Sequence, residues 1–177
     1  MKKTLIASVV AAGLLGSAAA HADLYGQVKL GSADLTLSDN AVVSSVVVGK
    51  RVAGHENFAM EAELMVTLKD AEETWSNPWA GDVKVEGSVT TLGGYGVYNF
   101  TQLSDTLVPF VRLGLVYLDV EAKASNGSVS ATEDDSSIKI GFGAGIRYNL
   151  NDQFGIVGDY TSVDDADILN VGLHYNF

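Results

Sequence analysis

Hydrophobic and polar residues alternate along most of this chain, and the pattern is simplest in the last ten residues. The apolar positions there are Leu169, Val171, Leu173, Tyr175 and Phe177. Polar or small residues occupy every position between them. A period of two is that of a β-strand, whose side chains point alternately to opposite faces. Residues 168–177 are therefore predicted to form a strand with one apolar and one polar face.

Seven further runs show the same alternation, so that eight strands are predicted. The eight runs cover residues 24–30, 41–52, 57–68, 82–100, 107–123, 138–150, 153–163 and 168–177. The first run extends in a weaker form toward Leu37. The period is lost at residues 92–94, where two adjacent glycines lead us to expect a β-bulge.

The segments between these runs alternate in length. The short ones are residues 53–56, 101–105 and 151–152. The longer ones are residues 32–40, 69–81, 124–136 and 164–167, the last being a short acidic member of this set. Tight turns at one end and longer loops at the other are typical of an up-and-down barrel in an outer membrane.

A soluble β-sandwich or lipocalin-like barrel remains the alternative, because polarity alone does not say which face points inward. The glycines favour a narrow lumen, which needs small residues beside long ones. In the run 138–150, the polar face alternates with the apolar one and consists of Lys139, Gly141, Gly143, Gly145, Arg147 and Asn149. We therefore predict an all-β, eight-stranded antiparallel transmembrane barrel with both termini at the same end.

Charges of both signs lie on the predicted polar faces. The basic residues are Lys29, Arg51, Lys84, Arg112, Lys139 and Arg147, and the acidic ones are Glu61, Glu63, Glu86 and Asp159. A confined interior requires such groups to pair, since an unpaired buried charge is costly. Inward-pointing ion pairs are therefore expected.

The first 22 residues resemble a secretory signal peptide. Lys2 and Lys3 precede a short apolar stretch, and Ala20-His21-Ala22 supplies the small-x-small pattern of a cleavage site. The apolar stretch is too short to span a bilayer, which takes about 20 residues. Residues 1–22 are thus expected to be removed, leaving residues 23–177 as the barrel domain.

Composition narrows the functional classes. The net charge is −11, which argues against nucleic acid as a partner because binding to phosphates needs basic surfaces. The chain contains no cysteine, so neither disulfides nor thiolate chemistry is available.

Few residues suggest catalysis or metal binding. His55 lies in a predicted turn, and His174 lies on the polar face of the last strand, where a hydrogen-bonded lumen residue is expected. The acidic clusters Glu133-Asp134-Asp135 and Asp164-Asp165-Ala166-Asp167 offer oxygen ligands but lack the regular spacing of a calcium loop. We assign no catalytic residue, no cofactor site and no metal site.

Three exposed side chains are expected to contact the membrane rather than a ligand. Trp75 and Trp79 are read as interface anchors, with an apolar patch for a partner as the alternative. Lys50, on an apolar face near a short turn, is expected to extend its charge toward the headgroups.

Residues 23–177 resemble the eight-stranded outer-membrane barrels of Gram-negative bacteria, the OmpA-like, OmpX-like and opacity-like family. The segments that carry the resemblance are 57–68 (NFAMEAELMVTL), 108–114 (VPFVRLG), 141–148 (GFGAGIRY), 159–161 (DYT) and 172–177 (GLHYNF). The resemblance implies location in the cell outer membrane, contact with its lipid and lipopolysaccharide, and a monomeric state. It also implies recognition of the last strand, which ends in Phe177, by the barrel-assembly machinery.

The function implied by the resemblance is structural or surface-interacting, with acidic external loops presented to an extracellular partner. A narrow porin-like channel for ions or small solutes is the alternative. A lipid-modifying enzyme is the third reading. Lipid A deacylases of similar size carry a His-x-Ser pair, whereas His174 is followed by Tyr175 and Asn176.

Overall fold

The computed structural model describes residues 23–35, 37–77, 81–104, 106–126 and 129–177. The predicted signal peptide, residues 1–22, lies outside the described residues, and so does Trp79. Among the helices of the described part, none is long and apolar enough to cross a membrane.

The described residues form nine β-strands. They are β1 (Leu24–Asp34), β2 (Ala41–Val52), β3 (His55–Lys69), β4 (Ala71–Asn77), β5 (Gly81–Asn99), β6 (Leu107–Asn126), β7 (Val129–Asn149), β8 (Phe154–Val163) and β9 (Ala166–Asn176). β3 and β4 are consecutive parts of one barrel strand, because both pair with β5 and only Asp70 separates them.

Antiparallel pairing runs around a closed ring. Each barrel strand pairs with its neighbours in sequence, and β1 pairs with β9 from Tyr25–Asn176 to Asp34–Asp167. Counting β3 and β4 as one strand, the ring has eight strands, which confirms the predicted fold class. Closure leaves no open edge within the ring itself, and eight strands make a lumen that side chains can fill.

The two faces of the wall are those predicted. Phe142 and Leu173 lie outward, 57% and 64% exposed, whereas Arg112 and Arg147 lie inward, 4% and 8% exposed. An exposed apolar band over most of a barrel is unfavourable in water and is what a lipid-facing surface requires. The soluble alternative, with an apolar interior and a charged exterior, is therefore wrong.

The two ends of the barrel differ. At one end (the turn end) β2 and β3 meet in a tight turn that uses Gly54 at a φ of +77°. Aromatic rings cluster outside this end: Phe58 lies 4.9 Å from Tyr98, and Phe154 lies 5.0 Å from Tyr175. Such a girdle is typical of a membrane–water interface. Lys50 is exposed beside it and pairs with Met60 on β3.

At the other end (the hairpin end) two predicted loops are largely strand. Pairing continues to Asn77–Gly81 between β4 and β5, and to Asn126–Val129 between β6 and β7. Residues 69–81 and 124–136 were therefore wrongly expected to be loops. A sheet with both faces in water needs no apolar face. Its strands therefore lack the alternation of apolar and polar residues from which strands were predicted.

The predicted bulge at residues 92–94 is also wrong. Leu92, Gly93 and Gly94 stay in register with both β3 and β6. Gly93 instead makes room inside the lumen, since a Cβ at this position would lie 2.6 Å from the ring of Tyr95. The pairing of β2 with β3 shifts in register between Val42 and Val43 and between Arg51 and Val52, and the additional residues are on β3.

Candidate functional site: a charged lumen and an acidic hairpin end

The middle of the lumen is occupied by buried ion pairs, which we call the central network. Its members, each at most 7% exposed, are Lys29, Glu61, Glu63, Arg112 and Asp159. Lys29 Nζ lies 2.8 Å from Glu63 Oε1 and 2.9 Å from Asp159 Oδ2. Arg112 reaches the same two acids, at 2.6 Å from Glu63 and 3.0 Å from Asp159. The predicted pairing of inward charges is confirmed for these residues.

Neutral side chains extend the central network. Tyr25 donates its hydroxyl hydrogen to Glu61 Oε1 at 2.7 Å, and Arg112 Nε donates to Thr161 Oγ1 at 3.0 Å. Arg112 also stacks over the ring of Tyr95, 4.5 Å from its centroid. Together these contacts join β1, β3, β5, β6 and β8 across the lumen. Such an arrangement stabilises the closed ring, in which two cations meet three carboxylates.

The hairpin side of the lumen is apolar. The buried side chains there are Ala33, Ala41, Val43, Met65, Ala71, Val89, Leu118 and Ile168. Leu35 and Leu37, which follow β1, pack against them together with Val120. Gly87 admits this segment, because a Cβ on it would lie 2.9 Å from Leu37 Cδ1. This layer was not predicted. The two leucines in an otherwise polar connection were its only signal.

His174 lies in the lumen, as predicted, on the turn side of the central network. Its side chain is 0% exposed, its ring centroid is 4.8 Å from that of Tyr25, and Nε2 lies 3.1 Å from Asn176 Oδ1. In the described part of the chain, no serine and no carboxylate hydrogen-bonds to this imidazole. His55 lies far from it in sequence, at the start of β3, with its ring 6.3 Å from that of Phe58.

Acidic residues from two separate segments meet at the hairpin end. Glu133, Asp135, Asp164 and Asp165 line one cavity of about 460 Å³, whose floor includes Leu118 and Val120. Both acidic clusters are evident in the sequence. Their proximity is not, because it depends on the length of the β6–β7 hairpin. Asp167 points elsewhere and accepts a hydrogen bond from Tyr160. Among the described residues no set of acids and histidines is arranged to hold a metal ion.

Two basic residues at this end are paired with acids on the surface. Lys139 Nζ lies 2.8 Å from Asp164, and Lys84 Nζ lies 2.8 Å from Glu86 and 3.2 Å from Glu72. The hydrogen bonds to Glu86 and Glu72 raise the pKa of Lys84 above its ordinary value. Trp75 is 65% exposed on β4, opposite Val83.

The chain matches known proteins in sequence family and in fold. The family model for the outer membrane protein beta-barrel domain matches residues 5–177. No curated protein matches by direct sequence comparison. Among solved structures, Neisserial surface protein A has a TM-score of 0.58 at 13% identity, with 87% of this chain and 96% of that one covered.

Two further solved structures are similar to this chain in fold. Ail, the attachment invasion locus protein of Yersinia pestis, gives a TM-score of 0.55 at 13% identity, with 88% and 97% of the chains covered. The N-terminal β-barrel domain of Pseudomonas aeruginosa OprF gives 0.52 at 15% identity, with 86% and 97% covered. At these identities the similarity establishes the fold alone. With a family match over nearly its whole length, this chain belongs to the outer membrane protein beta-barrel domain family and resides in the lipid of the outer membrane.

Proposed function

We propose that this protein has a surface-interaction role, with the turn end toward the periplasm and the hairpin end outside the cell. The observation that carries the proposal is an open sheet edge. Residues 129–140 of β7 pair with β6, whereas β7 begins to pair with β8 only at Gly141. No strand in the described part of the chain covers the other side of residues 129–140. An edge of this kind can add an extended segment from a partner through main-chain hydrogen bonds.

The acidic charge of the edge favours a basic partner. Glu133 and Asp135 are exposed on β7, and Glu121 on β6 pairs with Asp134 between them. Two acidic edges repel each other, which disfavours pairing between copies and is consistent with a monomer. A basic extended segment of an external partner is complementary to this surface, and its binding should weaken with salt.

The double variant Glu133→Gln, Asp135→Asn is expected to bind an extended lysine-rich peptide about tenfold more weakly than the parent, since two complementary charges are lost. Binding is measured by titrating the peptide onto protein reconstituted in neutral lipid nanodiscs.

A control that removes a negative charge at the opposite end of the barrel separates specific from general electrostatics. Asp152 is exposed in the β8-side turn at the turn end. Asp152→Asn should bind the peptide as the parent does. Equal weakening in both variants, or no binding by the parent at low salt, would refute the proposed role of the edge.

The alternative function, a narrow channel, makes the opposite prediction for conductance. The central network and the apolar layer both fill the lumen with buried side chains. We therefore expect the refolded protein to give no steady single-channel current in planar bilayers, under conditions in which a wide porin conducts. Reproducible steps of constant size would favour the channel and count against the surface-interaction role as the main one.

We further propose that His174 has a structural role and that the protein is not an enzyme. The hydrogen bond from His174 to Asn176, together with the missing His-x-Ser pair, supports this proposal.

A further inference from the structure

Strands β4 to β7 extend beyond the barrel wall at the hairpin end as a four-stranded sheet. The inner face of this sheet is the one that continues the buried side chains of Val89 and Leu118 in the apolar layer. Because every second residue of a strand shares a face, the register defines the rows of residues that cross this face. One row is Val85, Ala124 and Ala131, and the next is Gly87, Ala122 and Glu133.

The first of these rows is apolar although the fold does not require it to be. A sheet with water on both faces needs no apolar side chains, yet Ala131 is exposed and Val85 and Ala124 are only half-buried. Trp75 and Val83, which pair with each other one row further from the wall, extend the same face, and Trp75 is 65% exposed. Apolar side chains gathered on one exposed face are typical of a surface that binds a partner.

Two depressions lie side by side on this face. The first, which we call the apolar depression, has a volume of about 320 Å³ and is lined by Val85, Ala122, Ala124, Ala131, Thr132 and Glu133. The second, which we call the acidic cavity, is that of about 460 Å³ lined by Glu133, Asp135, Asp164 and Asp165. Glu133 lines both depressions, so the face changes from apolar to acidic along β7 between Ala131 and Asp135.

The acidic cavity keeps an excess of negative charge. Among the described residues, Lys139 is the one cation within ion-pair distance of its carboxylates, with Nζ 2.8 Å from Asp164. Four carboxylates of the described lining thus meet a single cation. The charge that remains complements basic side chains of a partner.

We propose that this face recognises the sequence of a strand that pairs with the edge of β7 at residues 129–140. The proposal rests on the surface-interaction role proposed above and specifies the partner. The partner's segment places an apolar side chain beside Ala131 and basic side chains beside Glu133 and Asp135. Since paired residues on neighbouring strands share a face, these three side chains occupy alternate positions of the segment.

The chemistry of each depression fits the side chain that it receives. Ala122, Ala124 and Ala131 are small and leave room for a large apolar side chain such as that of phenylalanine. The acidic cavity has an apolar floor, Leu118 and Val120, which suits the methylene stem of a lysine whose ammonium group lies among the carboxylates. Antiparallel pairing is the more stable arrangement per residue, and it orders the three side chains basic, basic, apolar along the segment.

Three threonine-rich peptides test the pattern when they are titrated onto the protein in neutral lipid nanodiscs, with empty nanodiscs as the blank. The first contains Lys-Thr-Lys-Thr-Phe and the second contains Lys-Thr-Lys-Thr-Thr. The third contains Lys-Thr-Lys-Phe-Thr, in which the aromatic ring lies on the opposite face from the lysines. The first peptide should bind about tenfold more tightly than the second, since burial of a phenylalanine side chain is favourable. The third should bind no more tightly than the second.

The peptides separate a failure of the pattern from a failure of the edge. If the first two peptides bind equally well, the pattern is refuted and the role of the edge stands. If the first and third bind equally well, the gain comes from general hydrophobicity, and the pattern is again refuted. If none of the three binds at low salt, the edge and the pattern are both refuted.

A pair of variants locates the apolar contact. Ala124→Gln places a polar side chain in the apolar depression and should remove the gain of the first peptide over the second, while the affinity for the second stays unchanged. Ser125→Gln places the same side chain on the opposite face of β6 at the next residue and should keep the gain. Faster gel migration of the unboiled protein checks that each variant is folded. Loss of the gain in both variants, or in neither, would overturn the proposal.

Discussion

Replacing Arg112 with methionine is expected to destabilise the barrel by about 3–5 kcal/mol, because it removes one partner from a buried ion network. Among the described residues, Lys29 would then be the one cation close to Glu63 and Asp159, and Glu61 would lose its contact with Arg112. Methionine keeps much of the volume of the side chain, so the effect reports charge rather than a cavity. The measurement is the urea midpoint of unfolding in lipid vesicles, read by the faster gel migration of the unboiled, folded barrel.

A surface ion pair provides the matched control. Lys84 contacts Glu72 and Glu86 at distances like those in the network, but its side chain is 41% exposed. Lys84→Met should therefore destabilise the barrel far less than Arg112→Met, because exposed ion pairs contribute little to stability. Removing a network acid as well should restore part of the loss, so Arg112→Met with Glu63→Gln should be more stable than Arg112→Met alone. Similar midpoints for Arg112→Met and Lys84→Met would show that the network contributes no more than a surface pair.

The wall of the barrel was predictable from sequence, whereas its hairpin end was not. In the wall, one face meets lipid and the other meets a confined lumen, so the residue pattern must alternate, and runs such as 138–150 show it. Above the wall, both faces of β6 and β7 meet water. Nothing then requires apolar and polar residues to alternate. Thr132 pairs with Lys123 in this part of the sheet, although the sequence around Thr132 shows no alternation.

The charged lumen was predictable in kind but not in arrangement. The inward positions of Lys29, Arg112 and Asp159 follow from the period of two alone. Their contacts depend on how far neighbouring strands are staggered, and the sequence does not state that stagger directly. For this reason the sequence predicted ion pairs but not which carboxylates each cation would meet. The apolar layer was not predicted for a related reason. Leu35 and Leu37 lie in a connection between strands, where the period of two does not apply.

Phe142→Arg is expected to have the second large effect, on insertion rather than on the lumen. Phe142 is 57% exposed and lies midway along the outward apolar positions of β7, which run from Ile138 to Tyr148. A basic side chain on the lipid face at mid-depth costs about 2–4 kcal/mol. The fraction of protein that folds into phosphatidylcholine vesicles at a fixed urea concentration should fall accordingly.

Two controls separate the charge from its position and from the loss of the ring. Ser136 shares the strand and the face of Phe142 but lies beyond the apolar positions, opposite Asp119 on β6. Ser136→Arg should fold into vesicles as the parent does, since its charge lies in water beside a carboxylate. Phe142→Leu should also fold efficiently, because it keeps an apolar side chain against lipid. If Phe142→Arg folded as well as Ser136→Arg, the outer face of β7 would not be in contact with the hydrocarbon core, and the assignment of inside and outside would have to be reversed.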